Sequence, residues 1–339
     1  MSTTIRKIAK DLNIAVSTVS KALRDSHEIS EETKRMVLDY ARKLDYKPNP
    51  YAGSLKNRKT YNIAVVLPEV ADTFFSNAIN GIESIAQDKG YHVVVYQTHE
   101  NSDLEASILD QLRGGRVDGV LISVSGDVKM NSVIHAQLAK EKPLIFFDRV
   151  CEEIETAKIL TDDFEASYQA TCHLISRGCK NIIFLSAAGN LSIVDHRRNG
   201  FIKALSDNKM EIGSHTIVSC SSQSDSDCRS MLEVALRREN KVDGVLASIE
   251  KLAMHTYHVC NANKLSIPSD VKVIAFSNLP IAALLAPPLT TVVQPAFDMG
   301  KTAAMLLFKA LAKKVVLRNE HIVLPSVIVA RDSTSSKAC

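Results

Sequence analysis

The chain has 339 residues, 45% of them apolar, with a formal net charge of +3. That is length for two or three domains with a sizeable core. No apolar run approaches the ~18 residues of a membrane-spanning helix, and the opening MSTTIRKIAK has neither the apolar stretch nor the cleavage site of a secretory signal.

Charge is unevenly placed. Residues 1–60 hold 13 Lys+Arg and 7 Asp+Glu, leaving 28 basic and 31 acidic residues for the remainder. A basic head on a mildly acidic body is the footprint of contact with a polyanion. Within that head, the stretch IRKIAKDLNIAVSTVSKAL (5–23) carries Ile5, Ile8, Ala9 and Leu12 on one helical face. A second apolar set runs through Val16, Val19, Ala22 and Leu23. The break at Leu12-Asn13-Ile14 is too short for a flexible loop, so the two helices must cross steeply, as in a helix-turn-helix. An ordinary corner between two helices is the alternative. The outer face of the second helix presents Ser17, Thr18, Ser20, Lys21 and Arg24, hydroxyls and cations suited to base edges and phosphates. A third helix follows, with Ser30 as N-cap, Glu31 and Glu32 at its positive end, and Met36, Val37, Tyr40, Ala41 and Leu44 as the buried stripe. Beyond it Pro48 stops the helix. Asn49 and Pro50 can start a short helix over 50–55, which would not be stable alone in water; the other reading is a linker.

From Tyr61 the pattern changes. Strand-like runs at 63–67, 92–96, 119–123, 144–148, 182–186, 216–220, 244–247 and 272–276 alternate with amphipathic stretches at 79–89, 104–113, 168–177, 198–209 and 228–238. Apolar strands alternating with helices mean parallel sheets covered on both faces, and there are too many strands for one open sheet. Two lobes are also indicated by a repeat: RVDGVL at 116–121 returns as KVDGVL at 241–246, each ending a helix and opening a strand. Two such lobes bring their strand ends around a common cleft, where ligands bind. Residues 287–295 read as an extended crossing segment, followed by a helix over 297–313 and strands at 322–325 and near 327–330. The tail has no leucine heptad, which favours a dimer over a tetramer.

The runs VSTVSKAL and EISEETKRMVLDYARKLDYKPNPYAGSLK, with FFDRV at 146–150 and APPLTTVVQP at 286–295, resemble the lactose-repressor-type (LacI/GalR) bacterial transcription regulators. The resemblance implies an α/β chain: an all-α helix-turn-helix headpiece over 1–46, a hinge helix and linker over 47–60, and a bilobed periplasmic-binding-protein-like domain over 61–339. The lobes would be two doubly wound parallel sheets, one from about 61–161 and 292–324, the other from about 162–291 and 325–332. Crossings near 161–163, 290–294 and 324–327 would form a hinge. In the headpiece, Val16, Ser17 and Lys21 match base-reading positions and Thr18 and Ser20 match positions nearer the phosphates. Arg24 and Asn49 complete the expected DNA-binding set. Leu55 matches the leucine that wedges into the minor groove, and residues 46–58 are expected to order only on DNA. Ala15 stands where the family usually has a Ser N-cap, a loss of about 1 kcal/mol. Val16 cannot hydrogen-bond a base but can touch a thymine methyl.

For the cleft, the resemblance points to Phe74, Phe75, Ser125, Asp148, Arg149, Arg197, Glu250, Ser277 and Asn278, a set suited to stacking on and hydrogen-bonding a polar ligand. Each has a plainer reading too: Phe74 and Phe75 as core, Asp148 and Arg149 as an ion pair, Arg197 at a solvated helix start. The chain departs from the family at Ser248-Ile249-Glu250, where an Asn-Asp pair is usual, and at Ser277, where Asp is common. The expected function is a cytoplasmic, homodimeric, sequence-specific DNA-binding repressor. Its partners are double-stranded operator DNA and a small effector, a sugar or sugar derivative. A solute-binding protein of a transport system is the alternative. No enzyme, cofactor or metal is expected: the Gly-rich phosphate loop, G-x-S-x-G and H-E-x-x-H are all missing, and His255, His258 and Cys260 lack a fourth ligand. Seven cysteines without a Cys-x-x-Cys pair suit reduced thiols.

Overall fold

The computed structural model describes residues 4–23, 25–46, 59–125, 131–187, 192–213, 216–220, 225–237, 241–313, 317 and 320–335. They fall into two compact units, Met1–Thr60 and Tyr61–Cys339.

The first unit holds α1 (Ile5–Asp11), α2 (Val16–Ala22) and α3 (Glu31–Lys43). The Thr4 hydroxyl accepts from the Lys7 amide and the Ser30 hydroxyl from the Thr33 amide, so two of the three helix starts are capped. Asn13, at φ 51°, takes the left-handed conformation that turns the chain between α1 and α2. Ile8, Ala9, Val19, Ala22, Val37 and Ala41 form the core, with Leu12, Ile14, Leu23 and Leu44 around it. Met36 does not belong to the buried stripe; it is 42% exposed. The stripe centres on Val37 and Ala41, and three short helices cannot cover its rim as well. Tyr40 stays half-buried and donates its hydroxyl to Asp11 at 2.9 Å.

The second unit is built on two six-stranded sheets. β1 (Asn62–Leu67), β2 (His92–Gln97), β3 (Gly119–Ile122), β4 (Leu144–Phe147), β5 (Lys158–Thr161) and β11 (His321–Leu324) lie in the order β11-β5-β4-β3-β1-β2, all parallel. β6 (Ile182–Ala187), β7 (Ile217–Cys220), β8 (Gly244–Ala247), β9 (Lys272–Phe276), β10 (Thr290–Val293) and β12 (Val327–Val329) lie in the order β12-β10-β9-β8-β6-β7. Here β12 runs antiparallel to β10, while the other pairings among the described strands are parallel, as expected. The reason is connectivity. β10 carries the chain out of the second lobe, β12 brings it back from the first, and neighbours travelling in opposite senses pair antiparallel. The polar ends of β5 hid it among the sequence patterns.

Helices cover the sheets. The first lobe carries α4 (Thr73–Asp88), α5 (Ser102–Arg113), α6 (Ser132–Glu141) and α11 (Ala296–Lys313); the second carries α7 (Asp163–Ser176), α8 (Ser192–Asp207), α9 (Asp225–Ala235) and α10 (Glu250–Ala262). α4 begins at Thr73 rather than 79, because Asp72 caps it by accepting from the Phe74 amide at 2.8 Å. α4 and α11 meet backbone to backbone: a Cβ on Gly300 would lie 1.9 Å from the Ala78 carbonyl oxygen, and one on Gly81 2.0 Å from that of Phe297.

The repeated V-D-G has a structural role in both lobes. Asp118 accepts from the Tyr61 amide at 3.1 Å, and Asp243 accepts from the Lys180 and Asn181 amides at 2.8 and 2.9 Å. Each aspartate thus closes the entry to the strand beside it, β1 or β6. The chain passes between the sheets after Thr161, between Val293 and Ala296, and between Leu324 and Val327. These linkers are tied side by side: the Gln294 amide side chain donates to the Thr161 hydroxyl at 3.2 Å, and the Ser326 amide donates to Asp162 at 2.7 Å. Short parallel linkers of this kind form a hinge between lobes.

Candidate functional site

In the first unit α2 turns its core side inward through Val19 and Ala22 and leaves Val16 and Ser17 exposed, with Thr18, Ser20 and Lys21 half-buried. Exposure of Val16 separates it from the apolar face its spacing suggested. It leaves a bare methyl pair at the helix start, the part of a recognition helix that meets base edges. Ala15 has the extended backbone of an N-cap, φ −67° and ψ 147°, but makes no side-chain cap bond. The ammonium of Lys21 is paired with Glu28, so reaching a base or phosphate requires exchanging that partner. Arg24, Asn49 and Leu55, and the expected hinge helix over 50–55, lie outside the described residues.

In the second unit the sheet ends and helix starts of both lobes converge on an open cleft with about 410 Å³ of space outside the protein atoms, solvent included. From the first lobe come Asp72, Phe74, Phe75, Asp148 and Arg149; from the second come Arg197, Ile249, Glu250, Ser277 and Asn278. Phe74 and Phe75 are buried in the first-lobe core and also line the cleft. Their place on the first turn of α4 explains this double exposure.

Asp148 follows β4 with φ 61°, a left-handed conformation that Asp tolerates and that turns its carboxylate back toward the cleft. Ser123 donates to that carboxylate at 3.3 Å. Burial pushes its pKa up to about 7, against the opposing pull of Arg149 and Arg197. Arg149 is not chiefly its ion-pair partner: the guanidinium donates to Glu100 at 2.7 and 2.9 Å and lies 3.8 Å from Asp148. It also lies over the Phe75 ring, 5.8 Å from its centroid.

Arg197 is not solvated. It is buried on α8, donates from Nε to Asp163 at 2.6 Å and from Nη1 to the Ser248 carbonyl at 2.7 Å, and stacks 4.0 Å from the centroid of Phe276. Glu250, the first residue of α10, accepts from the Ser277 hydroxyl at 3.0 Å. Burial holds its carboxyl above the ordinary range, reinforced by the charge of Asp72. Asp72 is raised as well, by burial, while the Phe74 amide and Arg149 pull it down. Asn278 exchanges a pair of hydrogen bonds with the Gln294 backbone at 2.7 and 3.1 Å, joining the cleft wall to a crossing strand.

Ser125 is the exception among the expected cleft residues. It is buried behind β3, its hydroxyl bonded to Thr98 and its amide donating to Glu105 at 2.7 Å, and it does not line the cleft. The cause is the buried Glu105 carboxylate, which also contacts His135 at 3.0 Å and Asn131 at 3.1 Å and draws the Ser125 backbone inward.

The sequence profile described as bacterial regulatory proteins, lacI family, matches residues 4–49, and the profile of periplasmic binding proteins and the sugar binding domain of the LacI family matches residues 60–324. The chain belongs to the LacI family. Among its relatives, catabolite control protein A of Priestia megaterium is 29% identical over 98% of this chain and 100% of that protein. The repressor PurR of Mannheimia succiniciproducens is 29% identical over 97% and 98%, and the ribose operon repressor of Halalkalibacterium halodurans 27% identical over 98% and 97%. Among solved structures, the lac repressor dimer bound to operator and the anti-inducer ONPF superposes with a TM-score of 0.86 at 20% identity, covering 98% of this chain and 99% of the other. The CelR–cellobiose complex superposes with a TM-score of 0.73 at 22% identity, with coverage of 98% and 99%. A LacI headpiece on the chain removes the transport alternative, which rested on the lobes alone.

Four cleft residues of this LacI-family chain escaped the sequence reading: Asp72, Ile193, Phe276 and Gln294. Asp72 had a signal, since Asp-Thr-Phe-Phe is an N-cap followed by a helix start. Gln294 ends a crossing segment and carried no polar pattern of its own. Among the described residues no three His, Cys, Asp or Glu side chains are placed to hold a metal ion, and no helix is long and apolar enough to cross a membrane.

Proposed function

We propose that the chain is a cytoplasmic, homodimeric transcriptional repressor without enzymatic activity, whose grip on operator DNA is set by a small polar ligand held in the cleft. The observation that carries this reading is the joining of two devices in one chain. One is a recognition helix with Val16 and Ser17 presented outward; the other is a two-lobed cleft whose walls share a tied hinge. Two lobes that close on a ligand change the spacing of whatever they carry, and a dimer reads two half-sites whose spacing must match. The names of the relatives, a ribose operon repressor and the transcriptional repressor PurR, support the class of function.

Selection from random duplex DNA at physiological ionic strength tests it. The expected product is a two-fold symmetric site. Lys21→Ala then weakens that site by about 1–3 kcal/mol and relaxes preference at one base step, whereas equal weakening on all DNA would make Lys21 a phosphate contact only. No enrichment over random duplex would defeat the proposal.

A further inference from the structure

The charges around the cleft do not balance. Three carboxylates line it, on Asp72, Asp148 and Glu250, against two guanidiniums, on Arg149 and Arg197. Both guanidiniums are engaged by carboxylates that do not line it: Arg197 sits 2.6 Å from Asp163 and Arg149 2.7 Å from Glu100. Asp148 at least has Arg149 at 3.8 Å. Asp72 and Glu250 have hydrogen-bond donors only, the Phe74 and Phe75 amides for one and the Ser277 hydroxyl with the Thr73 and Asn278 amides for the other, with no cationic side chain among the described residues within 4.0 Å. Each also stands at a helix start, α4 or α10. A helix start supplies roughly half a unit of positive charge, which leaves the set negative.

The two belong to opposite lobes. Their charges act on each other across the opening: burial raises the Glu250 carboxyl first, and the charge of Asp72 adds to it. Glu250 already reaches the Thr73 amide beside Asp72, and like charges brought this close repel in low-dielectric surroundings. A ligand that closes the lobes must hydrogen-bond both carboxylates and supply the missing positive charge. A bare metal ion is a poor answer, since no three acidic, His or Cys side chains among the described residues are grouped to hold one. The remaining lining offers the guanidinium N–H groups of Arg149 and Arg197 not taken by those partners, and an apolar face from Phe74. We infer that the effector is a small polyhydroxylated molecule bearing a protonated amine, such as an amino sugar, with the ammonium bridging Asp72 of one lobe and Glu250 of the other. This inference rests on the reading of the cleft as the effector site. It also gives a role to Glu250 at the position where the family's usual Asn-Asp pair is missing.

Calorimetric titration of the full chain tests it with matched probes: D-glucosamine, D-galactosamine and D-mannosamine, each against its parent hexose and its N-acetyl derivative. An amine is expected to bind at least about tenfold more tightly than both of its uncharged counterparts, the ratio expected when a neutral hydrogen bond becomes a charge-assisted one. In Glu250→Gln and in Asp72→Asn that preference should fall to about threefold or less. Equal or tighter binding of an uncharged sugar, no binding by any amine, or an amine preference untouched by both substitutions each overturns the inference. Enrichment of a DNA site by the same protein preparation would show that the regulator reading survives that failure.

Discussion

Arg197 and Asp163 form an ion pair at 2.6 Å in which each side chain is 3% exposed. Asp163 opens α7 immediately after the first crossing between the lobes, and Arg197 comes from α8 and reaches on to the Ser248 carbonyl beside the cleft. The pair therefore joins the hinge to the wall of the ligand site.

Breaking it from one side should be costly. Arg197→Ala leaves a buried aspartate without its partner, an expected loss of about 3–5 kcal/mol. Replacing both, Arg197→Met with Asp163→Asn, removes the stranded charge and should recover more than half of that loss. Thermal melts of the full chain check this; a single substitution costing under about 1 kcal/mol would mean the pair is solvated in solution.

Asp148 should make stability depend on pH. Its pKa is raised from 3.8 to about 7 by burial. Below the unfolded value both states hold the proton. Between the two values only the folded state holds it, so stability falls as pH rises, by up to about 1.4 kcal/mol per unit. Asp148→Asn removes this loss. Its melting temperature relative to the parent should be higher at pH 8 than at pH 4, and a difference that does not change with pH would refute the assignment.

Ala15 lies where α2 lacks a cap. Ala15→Ser should supply a hydroxyl to the free amides and stabilise the helix by about 1 kcal/mol. Slower amide exchange over Val16–Ala22 would report it, and unchanged exchange would show that the extended backbone at 15 does not aim the hydroxyl correctly.

The contact of α4 with α11 leaves no room for a side chain. Gly300→Ala places a methyl 1.9 Å from the Ala78 carbonyl oxygen, and helix backbones cannot yield as a flexible side-chain tip can. A loss of about 3 kcal/mol or more is expected in chemical denaturation. A near-neutral effect would show that the two helices separate readily.

Much of the architecture was legible because it rests on local rules. Apolar spacing along Ile5–Asp11 and Val16–Ala22 marks two helices, and the asparagine between them suits a left-handed turn. The repeated V-D-G marks two lobes, and its aspartates prove to be strand-entry clamps, a backbone role that sits at the same place in each copy. What stayed hidden depends on contacts between distant segments. Ser125 follows a strand end as cleft residues do, yet the Glu105 carboxylate, twenty residues back in the chain, turns its backbone inward. Met36 has helical spacing for burial, yet it lies at the rim of the stripe and stays exposed. The sequence alone determined the elements, the headpiece and the family, because periodicity, turn residues and charge runs act within a few residues. Only the tertiary structure decided which carboxylates meet in the cleft and which arginines are already spent on partners. Ion pairing and burial are set by side chains brought together from far apart, and single-chain periodicity carries no record of them.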